Sequence, residues 1–186
     1  FGITRFGNLL YGVAIGGPVV KVGSIDPETG KTLSAPVPVT EIYPLPSQAD
    51  WSPDGKYMVL KSRTQGSEVL SIQTLASGQL RPLKTPFAYT SQVQWISDDA
   101  IVVRSRDMQG HWGLYRIDVP SGDVSTIAVG ECRSERCPTS AGTTRLIHSV
   151  SPDFQSVFYA DAMSNTLRAF IQRDLKSGRE RELLHG

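Results

Sequence analysis

The sequence predicts an all-β chain made of four copies of a four-stranded antiparallel sheet. Three observations carry that prediction. A turn phrase recurs, as WSPDGK at 51–56 and VSPDFQ at 150–155, with worn copies in WISDD at 95–99 and ITRFGN at 3–8. A second turn follows each copy about 23 residues later, in DPETG at 26–30, TLASG at 74–78, DVPSG at 118–122 and DLKSG at 174–178. No window of about 11 residues keeps an apolar face at helical spacing without Gly, Pro or alternation breaking it. A unit of roughly 44–56 residues with two turn signals marks a repeat architecture, and short strands joined by hairpins make each unit one blade of a β-propeller.

In chain order the blades fall at about 1–40, 47–84, 91–129 and 145–184. In the first, Ile3 stands where Trp51 stands in the second, and Gly7 matches Gly55. The intervals Gly7 to Gly55 and Gly30 to Gly78 are both 48 residues. Two independent landmarks thus agree on one offset. Strands are expected at Leu9 to Ile15, Val19 to Ile25 and Lys31 to Val39. The second blade is the template. Ala49 to Trp51 form a short strand, Tyr57 to Ser62 a run of sheet-favouring residues, Val69 to Gln73 an apolar–polar alternation, and Gln79 to Leu83 an outer strand. The third has Val93 to Trp95, Ala100 to Arg104, Trp112 to Asp118 and Asp123 to Val129. The fourth has Ile147 to Val150, Ser156 to Ala160, Leu167 to Asp174 and Arg179 to Leu184. Trp51 and Trp95 lie 44 residues apart, but Trp95 and Val150 lie 55 apart. The excess is an insertion at 130–146, between the third and fourth blades. Loops there emerge on a propeller face, where binding residues concentrate.

Composition narrows the function classes. Of the 186 residues 39% are hydrophobic and 20% charged, the profile of an ordinary folded chain with enough length for a core. The net charge of +1 is spread as singles and pairs, which argues against nucleic acid as a partner. No apolar run reaches the roughly 18–20 residues of a membrane-spanning helix. The chain opens at Phe1 without a basic–apolar leader, so a processing or expression boundary is expected there. Cys132 and Cys137 lie within the insertion with four residues between them. Either a small disulfide loop in an oxidising compartment or two free thiols fits that spacing. Zinc would need further ligands that the neighbourhood lacks.

WSPDGKYMVLKS with Ser77-Gly78 downstream, and SPD at 151–153 with Asp174 and Ser177-Gly178, resemble the repeats of the TolB-type, WD-repeat-like β-propeller family. The resemblance spans nearly the whole chain as four repeats. It implies a bacterial protein, periplasmic or secreted, with a cytoplasmic location left open. It also implies an interaction scaffold, or the propeller domain of a prolyl-oligopeptidase-like serine peptidase. Relatives close with six or seven blades. Four therefore point to part of a larger propeller, with a closed four-bladed propeller or two cooperating chains as alternatives. Further blades or a second chain would then cover the open flanks.

The recurring phrase reads as structural. Pro53 and Pro152 fix φ in the turn, Gly55 permits positive φ, and Asp54 and Asp153 accept turn N–H groups. Trp51 and Trp95 fill the wedge between blades. Catalytic signatures are missing: no GxSxG, HExxH, phosphate loop or GxGxxG occurs. No catalytic residue, cofactor or metal is therefore expected. The expected function is a non-catalytic binding module with a protein partner, the alternatives being the peptidase accessory domain and an extracytoplasmic sensor domain of a membrane-bound regulator. The candidate binding residues are Arg104, Arg106, His111 and Trp112 around one hairpin, His148 on an innermost strand, and Arg133 and Arg136 in the insertion. Guanidinium and indole groups suit an acidic or aromatic partner.

Overall fold

The structure, a computed structural model, describes residues 2–3, 8–14, 18–24, 26, 28–39, 46–64, 67–129, 147–163 and 166–185. Among these residues every regular element is a strand, and the strands form four antiparallel sheets of four. The first sheet holds β1 (Gly2–Ile3), β2 (Asn8–Ala14), β3 (Pro18–Ser24) and β4 (Val37–Pro38). The second holds β5 (Pro46–Trp51), β6 (Tyr57–Thr64), β7 (Ser67–Thr74) and β8 (Leu80–Leu83). The third holds β9 (Phe87–Trp95), β10 (Ala100–Asp107), β11 (Trp112–Asp118) and β12 (Val124–Val129). The fourth holds β13 (Ile147–Val150), β14 (Ser156–Met163), β15 (Thr166–Asp174) and β16 (Glu180–His185). Within each sheet the spatial order follows the chain, giving four up-and-down meanders. Two strands depart from the expected limits. β4 keeps only two residues of the predicted Lys31 to Val39, a stretch with prolines at 36 and 38 that cannot donate to a ladder. β9 begins at Phe87, well before Val93, because Pro86 ends the preceding turn and Phe87 and Tyr89 alternate with smaller residues.

The first recurring turn uses the same atoms in the second and fourth sheets, and the second turn does so in all four. In the second sheet the Gly55 N–H donates to Ser52 O at 2.9 Å, and the Tyr57 N–H donates to Ser52 Oγ at 2.9 Å. The Ser52 hydroxyl donates to Asp54 Oδ1 at 2.7 Å, which also receives the Lys56 N–H at 3.0 Å. In the fourth sheet Ser151, Asp153, Gln155 and Ser156 repeat this network, with Phe154 where Gly55 stands. Phe154 therefore sits at φ 57°, in the left-handed region Gly55 occupies at 71°. The second turn closes by an N–H from Gly30, Gly78, Gly122 or Gly178 to the carbonyl four residues earlier, at 2.8–2.9 Å.

The chain packs as two units, 1–85 with 93–99, and 86–92 with 100–186. In the first, Val20, Met58 and Leu60 form a buried cluster against Val22, Val39, Ala49, Trp51, Leu75 and Leu80. Trp95 is 1% exposed. Its backbone N–H donates to Asp50 Oδ2 at 2.8 Å, and its indole Nε1 to Asp50 O at 3.1 Å. Truncating so buried a ring costs about 3–5 kcal/mol. In the second unit Ala100 to Val103 are buried at four consecutive positions, so β10 is covered on both faces, and Leu114, Ile117, Val150, Val157 and Tyr159 extend that core.

Candidate functional site

Strand alternation places Arg104 and Arg106 on one face of β10 and Ser105 on the other. The β10–β11 register sets Trp112 opposite Arg106 and Leu114 opposite Arg104, so Trp112 shares the arginine face. The Arg104 guanidinium lies 4.5 Å from the Trp112 ring centroid. Its Nη1 donates to Ser91 Oγ at 3.2 Å, and the Ser91 hydroxyl donates to Arg104 O at 3.2 Å. Tyr89 meets Trp112 edge-on, with centroids 5.6 Å apart at 82°. β9, β10 and β11 thus fix one guanidinium between a hydroxyl and an aromatic face. A cation over an indole contributes about 0.5–2 kcal/mol, more as water is removed.

The opposite face of these strands is closely packed. Thr90 and Ser105 share a buried hydroxyl–hydroxyl hydrogen bond at 3.0 Å. The Tyr115 ring folds over Gly113, where a Cβ would come within 2.8 Å of it, and packs on Phe87 with centroids 4.6 Å apart. Only glycine leaves the ring that place.

His148 belongs to β13, the first strand of its sheet. Its backbone carbonyl accepts from Gln92 Nε2 at 3.3 Å, which joins β13 to β9. The imidazole is buried, with 4% exposure, and neither Nδ1 nor Nε2 has a hydrogen-bond partner among the described residues. Burial, and then the positive charge of Arg104, push its pKa down from 6.5 to about 4. At neutral pH the ring is uncharged. At the hairpin tip His111 is exposed. Its backbone N–H donates to Asp107 Oδ1 at 2.8 Å, and its ring Nδ1 lies 3.2 Å from Asp107 Oδ2. Burial alone raises Asp107, but these His111 contacts bring its carboxyl below the usual range.

The second unit therefore gathers Arg104, Arg106, Trp112 and His148, with His111 at the rim. Arg133, Arg136, Cys132 and Cys137 lie outside the described residues. The flanks of their segment are described. Val129 pairs with Gly113, beside Trp112, and Ile147 directly precedes His148. Both ends of the insertion thus start from the gathered residues. Trp51, Pro53, Asp54, Gly55, Pro152 and Asp153 lie in the turns and strand ends described above, and Trp95 lies against Asp50. Sequence reasoning missed Tyr89, Ser91 and Gln92, although the alternating FAYTSQVQW run was a signal for a longer strand. It also missed Asp50, whose carboxyl is pushed by burial to about 6 against the pull of the Trp95 and Trp51 N–H groups. Among the described residues no three His, Cys, Asp or Glu side chains come together as a metal site. An open groove of about 540 Å³ lies on β15 and β16, lined by Gln172, Asp174, Arg179, Glu180 and Arg181. None of the gathered residues lines it.

Four up-and-down, four-stranded antiparallel sheets with repeated turns define the β-propeller class. The fold is of the TolB type. TolB from Acinetobacter baumannii matches 96% of this chain over 41% of its own, at 18% identity and TM-score 0.66. A TolB assignment from Agrobacterium tumefaciens matches 98% over 63%, at 17% identity and TM-score 0.68. The chain thus spans less than two thirds of either protein. A nidogen/laminin complex contains a similar chain, with 91% of this chain over 57%, 10% identity and TM-score 0.60. So does an oligogalacturonate lyase in complex with manganese, with 99% over 64%, 14% identity and TM-score 0.53. No family model and no curated protein sequence matches the chain.

Proposed function

We propose that this chain is a non-catalytic binding module, and that a protein partner docks against the end of the third and fourth sheets formed by Arg104, Arg106, His111, Trp112 and His148. The observation that carries the reading is the cation–indole platform beside a buried imidazole with two unused nitrogens. Groups of this kind recognise polar and aromatic side chains. The nidogen/laminin complex supports a protein partner, since there a similar fold occurs within a protein complex. The TolB likeness supports an extracytoplasmic setting. The lyase keeps an enzyme on the same fold in view.

Site-specific photocrosslinking tests the proposal. A photoreactive residue replaces Met108, which is 72% exposed on the candidate hairpin, or Leu33, which is 68% exposed in the other unit. Crosslinking is carried out in cells making the full-length protein. A discrete adduct at position 108, weakened by Arg106→Glu and absent at position 33, is expected. Equal adducts at both positions, or one at 33 alone, would overturn the reading.

A further inference from the structure

We propose that the Phe158–Phe170 face of the fourth sheet is an interface, and that its occupant is the first sheet of a second copy of this chain. Register defines the face. Phe158 pairs with Gln172 and Ala160 with Phe170, so these four share one side of the sheet. Arg181, opposite Gln172, and Leu184, opposite Phe170, join them. The two phenylalanines stack, with centroids 6.1 Å apart at 16°. His148, Val157 and Tyr159 lie on the other side, where all three are buried. The proposal is therefore independent of the platform around Arg104.

Comparison between the repeats shows that such a face is built to be covered. Counted back from the second turn, Phe158 and Phe170 stand where the second sheet has Val59 and Leu70 and the third has Val102 and Leu114. Those four are buried. In the second sheet Leu70 pairs with Leu83, at 2% and 5% exposure. The matching pair in the fourth is Phe170 with Leu184, one half-buried and the other 61% exposed. The fourth sheet thus carries large apolar groups where its sister sheets bury them, and leaves them in contact with water. The open groove lined by Ser156, Gln172 and Arg181 continues the same face.

The first unit shows what covers this kind of face. Val20 and Val22 lie on the third strand of the first sheet, as Phe170 and Gln172 lie on the third strand of the fourth. Ala49, Trp51, Met58 and Leu60, from the first two strands of the next sheet, pack against them. The complement is thus the first two strands of another propeller sheet. A second copy offers it in β1 and β2. Ile3 pairs with Leu9 as Trp51 pairs with Met58, and Tyr11 follows Leu9 by two residues as Leu60 follows Met58. Val22 pairs with Leu10 and Val20 with Gly12, so Leu9 and Tyr11 fall at register positions of the opposite side of the first sheet. The contact is heterologous, with the fourth sheet of one copy on the first sheet of the other.

Sedimentation equilibrium of the 186-residue chain from about 1 to about 100 µM tests the proposal. The mass should rise from the 20.3 kDa of one chain to at least twice that, with a dissociation constant on the order of micromolar. Leu184→Glu alters an exposed side chain, so its thermal midpoint should stay near wild type while association weakens at least about tenfold. Leu33→Glu, also at an exposed leucine, should leave association unchanged. Copies carrying Leu184→Glu and copies carrying Ile3→Glu, each defective alone, should associate when mixed, because each keeps the face the other has lost. Tyr11→Glu replaces Ile3→Glu if that variant does not fold. A chain that stays at 20.3 kDa throughout, association unaffected by Leu184→Glu, or no recovery on mixing folded variants would overturn the second copy as occupant. A single chain whose Leu184→Cys thiol reacts with maleimide in isolation, but is protected in cells making the full-length protein, would assign the face to a different polypeptide segment or protein and overturn the proposal as well.

Discussion

Asp50 gives the most quantitative prediction. Its carboxylate receives the Trp95 N–H at 2.8 Å and a second N–H from Trp51, yet burial pushes its pKa from 3.8 to about 6. The folded chain therefore holds this proton more tightly than the unfolded chain. The sign follows directly: no penalty exists below about pH 4, and stability is lost as pH rises from there through 6. At about 1.4 kcal/mol per tenfold change in proton affinity, the full penalty above pH 6 is about 3 kcal/mol. Asp50→Asn keeps an oxygen for the Trp95 N–H and removes the charge. It should raise stability by about 2 kcal/mol at pH 8, after some allowance for its new NH2 group, and change little at pH 4. Urea denaturation of both proteins from pH 4 to 8 measures this, and the difference between them removes every other titration. A variant less stable at pH 8, or a difference that does not vary with pH, would refute the reasoning.

Three further outcomes follow from particular residues. His148 has its pKa depressed to about 4, so its contribution is present above pH 6.5 and is lost as pH falls towards 4, by about 3 kcal/mol. His148→Gln should flatten that acid limb in the same urea series. Phe154 holds a φ of 57°, which costs a residue with a side chain about 1–2 kcal/mol. Phe154→Gly should therefore gain about 0.5–1 kcal/mol net of glycine's greater unfolded entropy, read as a higher midpoint in calorimetry. Gly113→Ala would drive a methyl group into the Tyr115 ring, which Phe87 prevents from yielding, so a loss of about 1–3 kcal/mol is expected. Adding Tyr115→Ala should cancel much of the steric part, which a double-mutant cycle detects.

The sheets were legible because the turns are made of local chemistry. Ser52, Asp54 and Gly55 bond within a few residues of one another, so spacing alone reveals them, and their copies in the fourth sheet carry the same atoms. Arg104, Arg106 and Trp112 were legible as a group because two adjacent strands of one hairpin carry them. Their relation to His148 was not, because 36 residues separate Trp112 from it and only sheet-to-sheet packing brings β9 and β13 side by side. Asp50 was hidden for the same reason. Its partner is Trp95, 45 residues away, and nothing in the local pattern of QADW distinguishes a bridging aspartate from a solvated one.

The account turns on an uncharged imidazole held beside a guanidinium. A direct NMR titration of His148 tests it. The ring should remain neutral to about pH 5, titrate near 4, and move part of the way back towards 6.5 in Arg104→Gln. A midpoint near 6.5 in the wild-type chain, unchanged by that substitution, would contradict the burial of His148 and its pairing with Arg104 alike.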